Sequence, residues 1–569
     1  MSEKTLGEKI KLRMKHLEGV KRDYDDRDEL IARYVNPRRE LIKDSQRYDN
    51  KGAKRGKHAY TGEPSSALSV WVDGMQGHMV SQSLRWFKGV MGIPYLNKID
   101  EVQRYLQEYD EAMYGEFLRS NFYAILSEWF RDAGSTGTAT LYTEEDIGRG
   151  VSVMTPIHPR EVFIAEDRYG KVDTVFRKFF LTAKQAVDMF GVNSNLNQKI
   201  KDDSKEHPEK RHEFIHAVFP NTDRMFGSLL SVNKPWRSVY VQMIGNEQAA
   251  QGVDKDVLRQ GGYDLNPYTV WRLRKNSDEI YGYSPAADAL VDIQKLNQMS
   301  KLLLTGAHKA VAPPMNIPKR MRGNVHLGPD GKNYFGTGED QISQIPQQLN
   351  FPIAIDREEK IQRIIEDKYR VEFFLILARA EREMTATEIM ERQAEKAVLL
   401  GPQVDRLEQE GLSKVFDIVS DIADKGGRLP EPPQILIDAV EEAKAMGRRD
   451  ANINIRFIGP LAQAQRRLFQ MQPIKNGLNE LAQAAVVFPK VLDRVDPDRL
   501  AERILDSTDF PQDVMRTDDE LTEFREQQEA ELQQQQMMQQ AQGMAEAYPK
   551  LAKAPEPGSP AEQIGAAVA

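Results

Sequence analysis

Apolar and polar positions follow two different periods along this chain, and the change between them divides it. Over residues 4–42, Ile10, Leu17, Val20 and Tyr24 recur at helical spacing among charges, which predicts one or two amphipathic helices. A polar connection follows over 44–64. A stronger helical stripe then covers 65–87, with Leu68, Trp71, Val72, Met75 and Met79 on one face, and a second long helix is predicted over 99–131. Met and Trp at this spacing read as core, not as a ligand box. From 136 to 274 the period drops to two. Segments 138–142, 151–154, 161–164, 172–180, 212–219, 236–244 and 269–273 predict strands separated by polar turns, with one short helix that Thr182 caps and that runs through Phe190. Together they predict an α+β fold built mostly of antiparallel strands.

Residues 279–400 have another plan. Glu279-Ile-Tyr-Gly-Tyr-Ser-Pro285 is a turn in which Ser284 can cap a helix and Pro285 fits its first position. Leu290, Ile293, Leu296, Met299 and Leu303 then step by three and four. A helix running to about His308 would span roughly 35 Å at 1.5 Å per residue. The proline-rich stretch 312–323 breaks the period, and a loop-and-strand segment runs to 352. A second helix is predicted over 356–378, then a polar break, Arg379-Ala-Glu-Arg-Glu-Met384, and a third helix that Thr385 or Thr387 could cap. Helix continues after Leu400 to about Ala423, and Gly426-Gly-Arg-Leu-Pro-Glu-Pro-Pro433 is a linker. A strand-like run at 453–457 is expected to rejoin the α+β region. Helical segments follow over 462–505 and 517–547, with a Gln-rich stretch at 526–542, and the Ala-, Pro- and Gly-rich tail from Ala552 is expected to be disordered.

The chain has 569 residues, enough for three or four packed units. No run of eighteen apolar residues predicts a membrane span, and the charged N-terminus lacks the apolar core of a secretory signal. Absence of cysteine excludes disulfides and thiolate metal sites and fits synthesis in a reducing cytosol. Net charge is −8 and no long basic block appears, so static, tight gripping of duplex DNA is not suggested, whereas a conduit through which DNA slides is compatible. The most basic short patch, Lys51, Lys54, Arg55 and Lys57, reads as a solvated loop ahead of a DNA contact.

Candidate chemistry is thin. Nine histidines are scattered without metal-ligand spacing. Gly331-Lys332 fails as a phosphate loop, because His326 stands where the first glycine belongs and Asn333 where a Ser or Thr belongs. Gly134-Ser-Thr-Gly-Thr138 lacks a lysine and reads as a strand-start turn. Glu144-Glu-Asp146 could hold a cation but reads as a solvated hairpin tip. No catalytic residue, metal ligand or cofactor is assigned. Assembly signals are stronger: the helix at 356–378 carries Ile361, Ile364, Ile365, Val371, Phe373, Phe374 and Leu375 among many charges. Such a mixed face either packs against another helix of the protomer or meets a second copy.

The words Glu279-Ile-Tyr-Gly-Tyr-Ser-Pro285, Asp292-Ile-Gln-Lys-Leu-Asn297, Met384-Thr-Ala-Thr-Glu-Ile389 and Leu400-Gly-Pro402 occur in one order, preceded by Ser135-Thr-Gly-Thr-Ala139, Ile157-His-Pro-Arg-Glu161 and Leu181-Thr-Ala-Lys-Gln185. In that order, from about Val70 to Pro402, the chain resembles the portal, or head-to-tail connector, of short-tailed bacteriophages. The first fifty residues and the tail carry no such word.

The resemblance implies a non-enzymatic closed ring, usually of twelve copies, at the capsid vertex of the virion, made in the host cytoplasm. Double-stranded DNA would pass through it without sequence specificity during packaging and ejection. Partners would be the large terminase subunit, major capsid and scaffolding proteins and a tail adaptor, with no membrane and no cofactor. By position, 1–283 would be the N-terminal part of the wing, 284–309 the first stem helix, 310–353 the clip and 354–378 the second stem helix. The tunnel loop would be 379–387, the C-terminal part of the wing 388–461, the crown 462–547 and the tail 548–569. Leu290, Ile293, Leu296, Ile364, Phe373 and Phe374 would form the ring interface. Lys309, Lys319, Arg320, Arg322 and Lys332 would meet the motor or adaptor, and Arg379, Glu381, Arg382 and Glu383 would face DNA, a solvated interhelix turn being the equal alternative for that loop. Rival readings are an enzyme, a nuclease or NTPase with a site dispersed through the α+β region, and another phage structural piece. Scaffolds are commonly almost all helical and adaptors much shorter, which argues against the second.

Overall fold

Thr5 opens the first helix with a capping box: its hydroxyl accepts from the Glu8 N–H and the Glu8 carboxylate accepts from the Thr5 N–H. In the computed structural model the described residues are 4–40, 42, 56–228, 230–249, 252–323, 325–326, 331–334, 342–345, 351–375, 400–447, 452–459, 472–507, 516 and 518–551. Helix α1 (Leu6–Tyr34) is followed by α2 (Glu63–Met79), whose expected face is buried. Helix α2 stops at Met79 and does not reach 87. Phe87 instead opens strand β1 (Phe87–Met91), because Tyr114 holds its backbone: the phenol oxygen accepts from Phe87 N–H at 2.9 Å and donates to Phe87 O at 3.0 Å.

The single helix expected over 99–131 is two, α3 (Asp100–Arg119) and α4 (Phe122–Thr136). Side-chain bonds to backbone win over helix continuation here. The Ser120 hydroxyl accepts from Phe122 N–H, and the Asn121 amide pairs with the Met154 backbone in both directions, at 2.7 and 2.8 Å.

The strand region follows as expected. Strands β2 (Thr138–Asp146) and β3 (Val151–Ile157) are followed by β4 (Val162–Glu166) and β5 (Val172–Thr182). Helix α5 (Ala183–Phe190), capped by Thr182, and α6 (Gln198–Glu206) precede β6 (Arg211–Pro220), β7 (Trp236–Gln242), β8 (Val257–Tyr263) and β9 (Tyr268–Arg272). Two of these elements gave no signal: α6 buries only Ile200 and Asp203, and β8 holds Arg259-Gln-Gly-Gly262, without apolar alternation. The strands form a three-stranded sheet, β3-β2-β9, and a five-stranded sheet, β4-β5-β6-β7-β8, antiparallel throughout. Ile10, Met14 and Leu17 of α1 cover one face of the larger sheet, against Phe176, Ile215, Val239 and Val241.

Helix α7 (Pro285–Val311) leads to a two-residue ladder, β10 (Met315–Asn316) with β11 (Ser343–Gln344), and returns through α8 (Phe351–Lys368) and α9 (Val371–Phe374). The second helix thus starts at 351 and breaks after Lys368, where a continuous helix over 356–378 was expected. The polypeptide re-enters the described residues at α10 (Gly401–Arg406), a π-helical turn (Leu407–Leu412) and α11 (Ser413–Lys425). Helix α12 (Gln434–Ala445) follows directly on the linker 426–433. Strand β12 (Ile453–Phe457) pairs with β1, not with the strand-rich sheets, because its Phe457 stacks on Trp86 beside α3 and α4. Helices α13 (Gln472–Val487), α14 (Pro497–Ser507) and α15 (Asp518–Leu551) close the described chain, with Arg525 forked onto Asp498 at 2.5 and 2.8 Å. The third helix capped by Thr385 or Thr387 and the tail from Ala552 lie outside the described residues.

One large core gathers α2, α3, α4, α7, α10 and α11 around Trp71, Trp86, Trp129 and Trp271. The fold is α+β. Among the described residues no helix is long and apolar enough to cross a membrane.

Candidate functional site

The root of α7 is where separate sequence words meet. Ser284 caps as expected: its Oγ accepts from Ala287 N–H at 3.1 Å and donates to Ser135 O at 2.6 Å. Gly282 N–H donates to Thr138 Oγ1 at 2.7 Å, and Arg27 Nη2 of α1 reaches both Thr136 O and Gly282 O, at 3.2 and 3.3 Å. Gly137, at φ +84°, ends α4 in left-handed backbone that a side chain resists. Gly282 and Gly137 touch backbone to backbone: a Cβ on Gly282 would fall on the Gly137 carbonyl, and one on Gly137 would lie 2.6 Å from Gly282 C. The Ser-Thr-Gly-Thr turn and the Tyr-Gly-Tyr-Ser-Pro turn therefore form one joint, whose halves lie more than a hundred residues apart in sequence.

Behind the joint sits a buried charge cluster that no spacing announced. Arg272, 1% exposed, donates to Glu410 through Nε at 3.1 Å and Nη2 at 2.7 Å, to Gly170 O at 2.9 Å and to Ile280 O at 3.2 Å, and it pairs with Glu166. Glu410 also accepts from Arg406 at 2.5 Å, and Lys275 sits 2.6 Å from Glu166. Glu410 lies inside the π-helical turn, where one extra residue per turn re-aims a side chain. Gly411 makes that turn possible against Trp129, since a Cβ there would lie 2.9 Å from the indole. Glu410 raises the Arg272 pKa against the opposing effect of burial, so the guanidinium remains charged. The cluster ties β9, the β4–β5 turn and the helix that re-enters after Leu400 to the root of α7.

Along α7, Asn297 of the Asp292-to-Asn297 word holds the segment before α2: it accepts from Tyr60 N–H at 2.7 Å and donates to His58 O at 2.9 Å. Lys301 stands 5.3 Å from the Tyr60 ring. Helices α7 and α8 pack along each other, joined also through Ser300 and Glu358.

Burial divides the six residues expected at a ring interface. Ile293, Leu296 and Phe373 lie in the protomer's own core, Leu290 and Phe374 pack partly against it, and only Ile364, 42% exposed, faces outward. Periodicity identified the apolar face of each helix correctly but could not say which partner covers it. The uncovered apolar positions are elsewhere: Leu302, Leu304 and Val311 on α7, Ile353 and Ile355 on α8. From Lys301 to Val311 every residue except Leu303 and Gly306 is exposed.

Of the basic group, Lys309, Lys319, Arg322 and Lys332 are exposed around the distal end of this pair. The Arg320 side chain, and all of Arg379, Glu381, Arg382 and Glu383, lie outside the described residues. His326 and Asn333, the two positions that spoiled the phosphate loop, hold each other through two hydrogen bonds, His326 N–H to Asn333 Oδ1 at 2.7 Å and Asn333 Nδ2 to His326 O at 2.8 Å. They close a turn.

Other titratable groups read as structure. His216 is buried, flat on Tyr240 at 4.0 Å, with Tyr268 and Ser238 on its two nitrogens. Burial and nearby Arg177 push its pKa down to about 3, which keeps it neutral. Glu144 and Glu145 are exposed near the end of the β2–β3 hairpin, paired with Val153 and Ser152, and Arg428 stands 3.4 Å from Glu145. Among the described residues no group of three His, Asp or Glu side chains is arranged to hold a metal.

The geometry is a helix pair rooted in a glycine joint and a charge cluster, with exposed apolar residues on more than one face and basic residues exposed towards its far end. Over residues 7–515 the chain matches the family model described as bacteriophage head to tail connecting protein. It is 28% identical to the "Probable portal protein" of Bordetella phage BPP-1 over 84% of this chain and 82% of the relative. It is 27% identical to the "Portal protein" of Salmonella phage epsilon15 over 92% of this chain and 91% of the relative. With its joint, its helix pair and nearly its whole length inside that match, the chain belongs to the bacteriophage head-to-tail connecting proteins.

Proposed function

We propose that this chain is the subunit of a portal ring, a channel at the capsid vertex through which DNA is packaged and ejected and to which the tail attaches. The observation that carries the reading is the α7–α8 pair, where the protomer leaves apolar residues in water on more than one face of each helix, in a chain of the connector family. A heterologous interface that closes on itself presents two different faces of each copy to its two neighbours and covers such positions on every copy at once. Leu302, Leu304, Ile353, Ile355 and Ile364 form the ring-facing set; Ile293, Leu296 and Phe373 anchor the helices from within. Residues 284–309 and 354–378 are the stem helices and 310–353 the clip, whose Lys309, Lys319, Arg320, Arg322 and Lys332 meet the large terminase subunit and then the tail adaptor. Residues 1–283 and 388–461 are the wing, against capsid and scaffolding proteins, and 462–547 the crown. In the loop 379–387, Arg379 and Arg382 touch phosphate while Glu381 and Glu383 keep the contact weak and reversible, which suits passing DNA.

Native mass and negative-stain images of the purified protein test this. Rings near twelve times 64.9 kDa with a central hole are expected. A closed dimer with no further association overturns the reading. Leu302→Glu/Ile353→Glu places charge at two exposed positions, where the protomer tolerates it to within about 0.5 kcal/mol. Rings should be lost while the protomer's thermal midpoint holds. Arg379→Gln/Arg382→Gln is expected to leave rings intact and to lower the DNA retained in particles several-fold. Loss of rings in that variant removes the loop from the channel.

A further inference from the structure

We infer that the α8–α9 junction is a two-state latch, bent in this structure and able to straighten at Arg370. Among the described residues Arg370 is the one non-glycine residue with positive φ, at φ 55° and ψ 35°. It stands two residues after the end of α8 and directly before α9. Tyr369 N–H still donates to Ile365 O at 3.2 Å as a helix requires, and beyond the break Leu375 N–H donates to Val371 O at 3.0 Å. A single backbone rotation therefore separates one continuous helix from two.

The bent form carries a cost, since arginine in left-handed backbone is strained. Packing on α2 offsets it. Val371 and Phe373 enter the core, and the Phe374 ring lies against Gly74, near His78 at 5.9 Å between centroids. Gly74 is what admits the ring, because a Cβ there would strike it. If α8 ran straight on, helical spacing would keep Phe373 on the face of Ile365 and Tyr369, four and eight residues before it, while Val371 and Phe374 would leave α2. Straightening changes the direction in which the backbone leaves Leu375. Which partner selects a form rests on the portal reading; the latch itself does not.

Amide hydrogen exchange of the full chain tests it. Arg370→Gly removes the strain of the bent form, and exchange over 371–375 should slow by about tenfold. Arg370→Val disfavours left-handed backbone, and the same amides should exchange about tenfold faster while those of 360–366 stay unchanged. Gly74→Ala displaces the Phe374 ring and should also speed 371–375 selectively, so the inference remains testable if the valine variant does not fold. Equal exchange in the glycine variant and the parent, or changes spread evenly over α2, α8 and α9, overturns it. A selective response in a protein that forms no rings would uphold the latch and fail the portal reading.

Discussion

Gly282→Ala is expected to destabilise the folded protein more than any other single methyl group added to it. The new methyl group would meet the Gly137 carbonyl, a backbone atom held by α4 and β2, so no side-chain rotation can relieve the contact. Overpacking a tight site costs about 1–3 kcal/mol when side chains can yield. Here they cannot, and separating the two turns would also stretch the Gly282–Thr138 and Ser284–Ser135 hydrogen bonds. A loss at or above about 3 kcal/mol is expected, against a total stability of about 5–15 kcal/mol for a domain. Denaturant titration of the soluble fraction checks it, with Gly77→Ala as the comparison. Gly77 sits in α2 with nothing near its Cβ position, and alanine there should stabilise by about 0.5–1 kcal/mol. Equal effects at the two glycines would remove the joint from the account.

Glu410→Ala should be the next most damaging change. It takes from Arg272 its bidentate partner and leaves a guanidinium that is 1% exposed with Glu166 as its remaining carboxylate. Breaking a buried pair from one side costs about 3–5 kcal/mol, and the retained Glu166 places this case near the lower end. Removing both charges in Arg272→Met/Glu410→Leu should cost less than the sum of the single changes by at least about 1 kcal/mol, because neither charge is then stranded. Glu166 keeps Lys275 at 2.6 Å in that variant. A double-mutant cycle by chemical denaturation reads the coupling, and additive costs would mean the cluster does not act as a unit. Beyond stability, the cluster has a mechanical sense. It fixes the helix that re-enters after Leu400 to the root of α7, so force on one is felt at the other.

Local chemistry explains which expectations held. Thr182 and Ser284 were recognised as caps because a cap needs only its own side chain and the next three residues, all adjacent in sequence. Most strands of the 136–274 region are legible from β-branched and aromatic residues between polar turns, although β3 alternates in burial while β9 is buried along its whole length. Strand β8 was missed because neither of its faces alternates, and α6 because so little of it is buried. Helix ends were misread where a distant group competes for the backbone, as Tyr114 does at Phe87 and Met154 at Asn121.

The sequence by itself determined the α+β class, the helix–lobe–helix plan after Pro285, the family resemblance and the lack of a recognisable catalytic motif, since each rests on periodicity or on ordered local words. Only the tertiary structure decided that Gly137 and Gly282 share one joint, that Arg272 and Glu410 share one buried cluster, and that Ile293, Leu296 and Phe373 are covered from within while Leu302 and Ile353 are not. The physical reason is the same in each case. Periodicity reports that a face must leave water, but only packing in space chooses what covers it.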